Sequence, residues 1–166
     1  MTSNLEDSAW AHIEAERFAE AEVLLRQAIA QSDEAHELWH LFAMLAGVLN
    51  ELGRPADGTA AYRQALAEAR SIGPDRLEVG ACRYMLANQC LIYGDPAEAL
   101  AEALPVSKGG GHVQCLLHAV AAHALWKQGQ RSEAQSAARR ALDACPTEAR
   151  TTEIGEQLAY VLEAQH

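Results

Sequence analysis

Gly53-Arg54-Pro55-Ala56-Asp57-Gly58 is the stretch that decides the fold, because the chain repeats it. In the same phase it becomes Gly-Asp-Pro-Ala-Glu-Ala over 94–99 and Gly-Gln-Arg-Ser-Glu-Ala over 129–134. A fourth copy, Glu-Arg-Phe-Ala-Glu-Ala over 16–21, lacks the glycine. Each element of the string has a physical task. A glycine takes the left-handed conformation that ends one helix and satisfies its last carbonyls. Pro55 and Pro96 then fall in the first turn of the next helix, where no amide donor is needed. The acidic residue that follows complements the positive helix start. The closing small residue, Ala21, Gly58, Ala99 or Ala134, lets two helices approach closely. A further small residue, Ala28, Ala65 or Ala141, comes seven residues later in three of the copies.

The closing small residues are 37, 41 and 35 residues apart, a helix-pair period of about 34 residues with short insertions. Composition supports helix throughout. Of the 166 residues, 49% are hydrophobic, enough for a continuous core, and 22% are charged. Alanine, leucine, glutamate, glutamine and arginine lose little freedom in a helix. The pattern predicts an all-α chain of about nine helices, near 5–16, 18–31, 35–52, 55–72, 75–93, 96–105, 111–128, 131–144 and 148–164. The last has no partner helix, and Ile154, Leu158, Val161 and Leu162 on one of its faces make it a capping helix. Residues 107–111, Ser-Lys-Gly-Gly-Gly, are expected to form the most flexible connection.

The repeated string resembles the tetratricopeptide repeat family, over nearly the whole chain. That family's first helix carries a large residue, then leucine and a small residue, then another large residue. Phe42, Leu45, Ala46 and Leu49 match it well. Arg83, Leu86, Ala87 and Cys90 match in the third repeat, and His118, Ala121, Ala122 and Leu125 in the fourth. Leu5, Ser8, Ala9 and His12 match most weakly. The resemblance implies a single domain over 1–166, with repeats near 5–34, 35–74, 75–110 and 111–147, built as a right-handed α-α superhelix. It also implies a function: a concave groove, lined by the first helix of each repeat, that binds a peptide or helix of a partner protein.

Projected from the repeat phase, the groove residues are Trp10 and Ile13 in repeat one and His40, Met44 and Asn50 in repeat two. Repeat three supplies Tyr84, Met85, Asn88 and Leu91, and repeat four His123 and Trp126. The tryptophans and tyrosine have the character of interface anchors. The asparagines can both donate to and accept from a peptide backbone. The methionines adapt to varied side chains. Alternatively, several of these side chains simply pack against neighbouring helices. Family members that clamp a C-terminal carboxylate use cations on the groove wall. The matching positions here hold Ala43, Met44, Gly47, Tyr84, Met85 and Asn88, so the expected ligand is an apolar or basic protein segment. An adaptor role is the primary expectation. A small chaperone for a secreted or assembly-prone client is the alternative, and self-assembly through an exposed array end would give a homo-oligomer.

The net charge of −10 and the pI near 5.1 argue against nucleic acid and anionic membranes as partners. A start with neither basic nor long apolar character points to a cytoplasmic protein. Cys82, Cys90, Cys115 and Cys145 show no Cys-x-x-Cys spacing and are expected to be reduced and packed. His36-Glu37-Leu38-Trp39-His40 matches the zinc-protease string His-Glu-x-x-His, which would make a metal-dependent hydrolase. No third ligand stands at the usual spacing, and Trp39, Phe42 and Leu45 have packing roles. The expectation is therefore a non-enzymatic protein without metal or other cofactor. The glycine run at 109–111 lacks the Gly-Lys-Ser/Thr ending of a phosphate loop.

Overall fold

A computed structural model describes residues 2–104 and 111–163. Among these the chain is all-helical. The elements are α1 Thr2–Glu14, α2 Phe18–Gln31, α3 Ala35–Glu51, α4 Pro55–Ile72, α5 Leu77–Tyr93, α6 Pro96–Ala103, α7 Gly111–Lys127, α8 Arg131–Asp143 and α9 Glu148–Leu162. Most of the glycine-rich connection expected to be flexible, with the end of the sixth helix at 105 and of the ninth at 164, lies outside the described residues. No described helix is long and apolar enough to cross a membrane.

The helix ends show why the string recurs. At Gly53 and Gly129 φ is +72° and +78°. The next amide bonds back five residues, Arg54 N–H to Leu49 O at 2.8 Å and Gln130 N–H to Leu125 O at 3.0 Å. The glycine amides close the inner ring onto Asn50 O and Trp126 O. This double closure satisfies the orphan carbonyls of a helix end. The copy without glycine does the same. Glu16 is the one described non-glycine residue with positive φ, 55°, and Arg17 N–H reaches His12 O at 2.8 Å. That turn ends α1 at Glu14 rather than at the expected residue 16.

Gly94 departs from the expectation. It is not among the positive-φ glycines, and its amide bonds Cys90 O four residues back. The nearest atoms to a Cβ there would be those of Cys90, the residue whose carbonyl its amide bonds, so Gly94 closes the last turn of α5 without a left-handed conformation. The following start is capped by Asp95, whose carboxylate accepts from Ala97 N–H at 2.8 Å. Pro55 and Pro96 open α4 and α6 as the string requires.

The chain divides into two compact units, Met1–Arg76 and Leu77–His166. In the first, consecutive helices of α1–α4 pack on one another. Its core gathers Ala9, Ala21, Leu25, Ala28, Leu41, Leu45, Ala46, Val48, Leu49 and Ala61. At Gly58 the α3–α4 approach leaves no room: a Cβ would meet Asn50 Oδ1 at 2.5 Å and Ala46 O at 3.1 Å. In the second unit α7 also packs directly on α5 and on α9. All four small residues that close the string are buried, as are Ala28, Ala65 and Ala141. Arg83 is buried within α5 and directs its guanidinium toward α6, where the Glu102 carboxylate lies 3.9 Å away and the Glu102 carbonyl accepts a hydrogen bond.

Candidate functional site

In the first unit Glu6 Oε1 of α1 and His40 Nδ1 of α3 bridge the two helices at 2.8 Å. Beyond them lies a cavity of about 560 Å³, lined by Trp10, Ile13 and Glu14 of α1, Glu16, Phe18, and Ala43, Met44, Gly47, Val48 and Glu51 of α3. The sequence-projected residues Trp10, Ile13 and Met44 are thus brought together. They occupy one stripe because the i, i+3, i+4 spacing stacks them along facing helices. Gly47 keeps the cavity open, since nothing lies within 4 Å of where its Cβ would be.

Trp10 is the most unusual member. The residue is 52% exposed, and its indole N–H donates to Glu14 Oε1 at 3.0 Å. A large apolar face held out to solvent by its polar end is typical of a binding anchor. The lining carries three carboxylates, Glu14, Glu16 and Glu51, and no lysine, arginine or histidine. The mouth is therefore apolar and acidic together. It can receive an apolar side chain with a cation beside it, and the Trp10 face adds a cation–π surface.

The other two projected residues of this unit lie elsewhere. His40 is exposed, bound to Glu6 and tilted against Trp39 at a ring separation of 5.4 Å. Asn50 is half-buried with its amide oxygen against Gly58, in the α3–α4 contact. The His-Glu-x-x-His string is dispersed among separate partners. His36 lies 3.8 Å from Glu34, the Glu37 carboxylate accepts from Ser32 Oγ at 2.8 Å, and His40 is held by Glu6. Among the described residues no three His, Cys, Asp or Glu side chains are grouped to hold a metal ion.

In the second unit His123 and Trp126 meet helix α9. Tyr160, from the capping helix, stacks on His123 at 5.6 Å and meets Trp126 edge-on at 5.4 Å. Its hydroxyl bonds His123 Nδ1. Burial, with Lys127 second, pushes the His123 imidazolium down, and burial pushes the Tyr160 phenol up. Both shifts favour one proton arrangement, in which the phenol O–H donates to an unprotonated Nδ1. Arg131 covers Trp126 from another side, 3.6 Å from the ring centroid. Burial raises the Tyr84 hydroxyl, which also feels Arg150 and Glu153 of α9. Met85 and Asn88 are half-buried.

Leu91 does not face a groove. It is 8% exposed, because α5 packs on both α6 and α7 and buries more than one stripe. Its carbonyl accepts from Lys127 Nζ at 2.7 Å. Tyr160 is the residue that sequence reasoning missed. It falls off the Ile154, Leu158, Val161 stripe, and an aromatic so placed on a terminal helix was the available signal. No protein-family model matches the chain, and no curated protein matches it significantly.

Proposed function

We propose that this chain is a tetratricopeptide-like helical-repeat module, its helix pairs stacked as a right-handed superhelix, that binds a segment of another protein and catalyses no reaction. The single observation that carries the reading is the cavity of about 560 Å³ between α1 and α3. An open, largely apolar cleft with an exposed tryptophan at its mouth suits capture of one anchoring side chain. The resemblance supports a groove on these first helices, and the three glutamates specify the ligand. The preferred segment carries an apolar residue, leucine- to phenylalanine-sized, with lysine or arginine next to it. Like charges at the same place would cost affinity, so an acidic segment is rejected. The acidic net charge acts in the same direction by steering basic segments toward the protein.

The test is a peptide array in which an apolar centre is flanked by lysine, glutamine or glutamate, probed with wild type and with Gly47→Leu. The leucine Cβ meets nothing within 4 Å, and the rest of the side chain would occupy the cavity. Binding should follow lysine over glutamine over glutamate, weaken as salt rises, and fall at least ten-fold in the variant. Equal binding by wild type and Gly47→Leu would place the ligand elsewhere and remove the reading.

A further inference from the structure

The four cysteines are free thiols, and three of them, Cys82, Cys90 and Cys115, are buried. Cys145, in the α8–α9 turn, is the exception and is only partly covered. Its sulfur lies 2.7 Å from that of Cys115, on α7. A disulfide needs the sulfurs at about 2.05 Å, so a small adjustment would join them.

The backbone explains the meeting. Gly111 opens α7 against the same turn, and a Cβ there would lie 3.0 Å from Ala144 O. Cys115 stands one helical turn further along the same face of α7. The close approach that Gly111 permits therefore presses Cys115 onto the residue after Ala144. The Cys145 thiol is also oriented, donating to Ala141 O at 3.2 Å.

We propose that Cys115 and Cys145 are a modification site for hydrogen peroxide, closing to a reversible disulfide that staples the α8–α9 turn to α7. The chemistry has two balanced steps. Cys145, the accessible sulfur, attacks one peroxide oxygen; the O–O bond breaks, a sulfenic acid forms, and the second oxygen leaves as water with the thiol proton. The Cys115 sulfur then attacks the Cys145 sulfur; the S–S bond forms, the S–O bond breaks, and hydroxide leaves as water with the Cys115 proton. Two thiols and one peroxide give one disulfide and two waters. Burial, reinforced by the Cys145 contact, pushes the Cys115 thiol up to about 12. This fits the second, resolving role, which relies on proximity rather than on a standing thiolate. The staple fixes the turn that leads into α9, the helix that lays Tyr160 over His123 and Trp126.

The experiment treats the full-length protein with hydrogen peroxide, denatures it, alkylates free thiols and maps the peptides by mass spectrometry. The expected product joins Cys115 to Cys145 with the loss of two hydrogen atoms, leaves Cys82 and Cys90 alkylated, and reverts with dithiothreitol. In Cys145→Ser, with its fold checked by circular dichroism, Cys115 should remain alkylated. Because the bond would close a loop spanning 30 residues, the oxidised wild type should melt about 10 °C above the reduced protein. Alkylation of both sulfurs after peroxide overturns the proposal, as does pairing with Cys82 or Cys90, or a Cys145 sulfinic acid beside an alkylated Cys115. A disulfide that forms without raising the melting temperature overturns the staple.

Discussion

Replacing Gly47 and Gly58 by alanine should have opposite effects, although both are interior glycines of neighbouring helices. In a helix interior, alanine is favoured over glycine by about 1 kcal/mol through backbone entropy alone. At Gly47 nothing lies within 4 Å of the new Cβ, so that gain is realised in full. At Gly58 the Cβ arrives 2.5 Å from Asn50 Oδ1 and 3.1 Å from the Ala46 carbonyl. The Asn50 amide must leave its rotamer, at about 1 kcal/mol. The carbonyl belongs to the backbone of α3, so α3 and α4 must also move apart, an overpacking cost of about 2 kcal/mol. Gly47→Ala is thus expected to stabilise by about 1 kcal/mol and Gly58→Ala to destabilise by about 2 kcal/mol after its own helix gain. Urea unfolding followed by far-ultraviolet circular dichroism reads the difference. With a slope of about 2 kcal/mol per molar, the midpoint should rise by about 0.5 M in the first variant and fall by about 1 M in the second. If Gly47→Ala destabilised as much as Gly58→Ala, the space over Gly47 would be filled, and the cavity on which the binding proposal rests would not exist.

Two further outcomes follow from individual side chains. Glu16 occupies a left-handed conformation that costs an L-residue about 1–2 kcal/mol; Glu16→Gly should therefore stabilise by about 0.5–1 kcal/mol while Glu16→Ala should not, and equal midpoints for the two in urea would show that the turn is unstrained. His118 and His123 are both held below the ordinary value of 6.5 by burial, helped by Arg140 and Lys127 respectively. The unfolded chain then binds more protons than the folded one, so stability is retained above pH 6.5 and declines as pH falls through and below it. Thermal melts from about pH 7.5 to about pH 5.5 should show that decline, and it should shrink in a His118→Gln, His123→Gln double variant; a wild-type midpoint that stayed flat over this range would contradict the burial of both rings.

Local chemistry was legible in the sequence and helix-to-helix placement was legible only in part. The string at 53–58 specifies its own turn, proline start and close contact within six residues, so most helix boundaries followed from it. Glu16 was readable as a position in the phase, but its positive φ was not. Gly94 shows the limit of the same rule: its amide closes onto Cys90 O without a left-handed residue, and Asp95 opens the next helix directly after it. The repeat phase also found Trp10, Ile13 and Met44, since each lies on a stripe that faces the neighbouring first helix. Whether such a stripe stays open depends on what arrives from elsewhere in the chain. Between α1 and α3, the small residues Ala43 and Gly47 face Trp10 and nothing fills the space. On α7 the corresponding stripe receives Tyr160, and on α5 a second buried face takes Leu91 inward. The same long-range placement sets Cys115 against Cys145 across 30 residues. Helical period therefore assigns candidates to a face, and only the docking of the next helix decides which of them remain available to a ligand. That division puts the binding proposal on the α1–α3 cleft and the redox proposal on the α7–α9 side, so each can fail without the other.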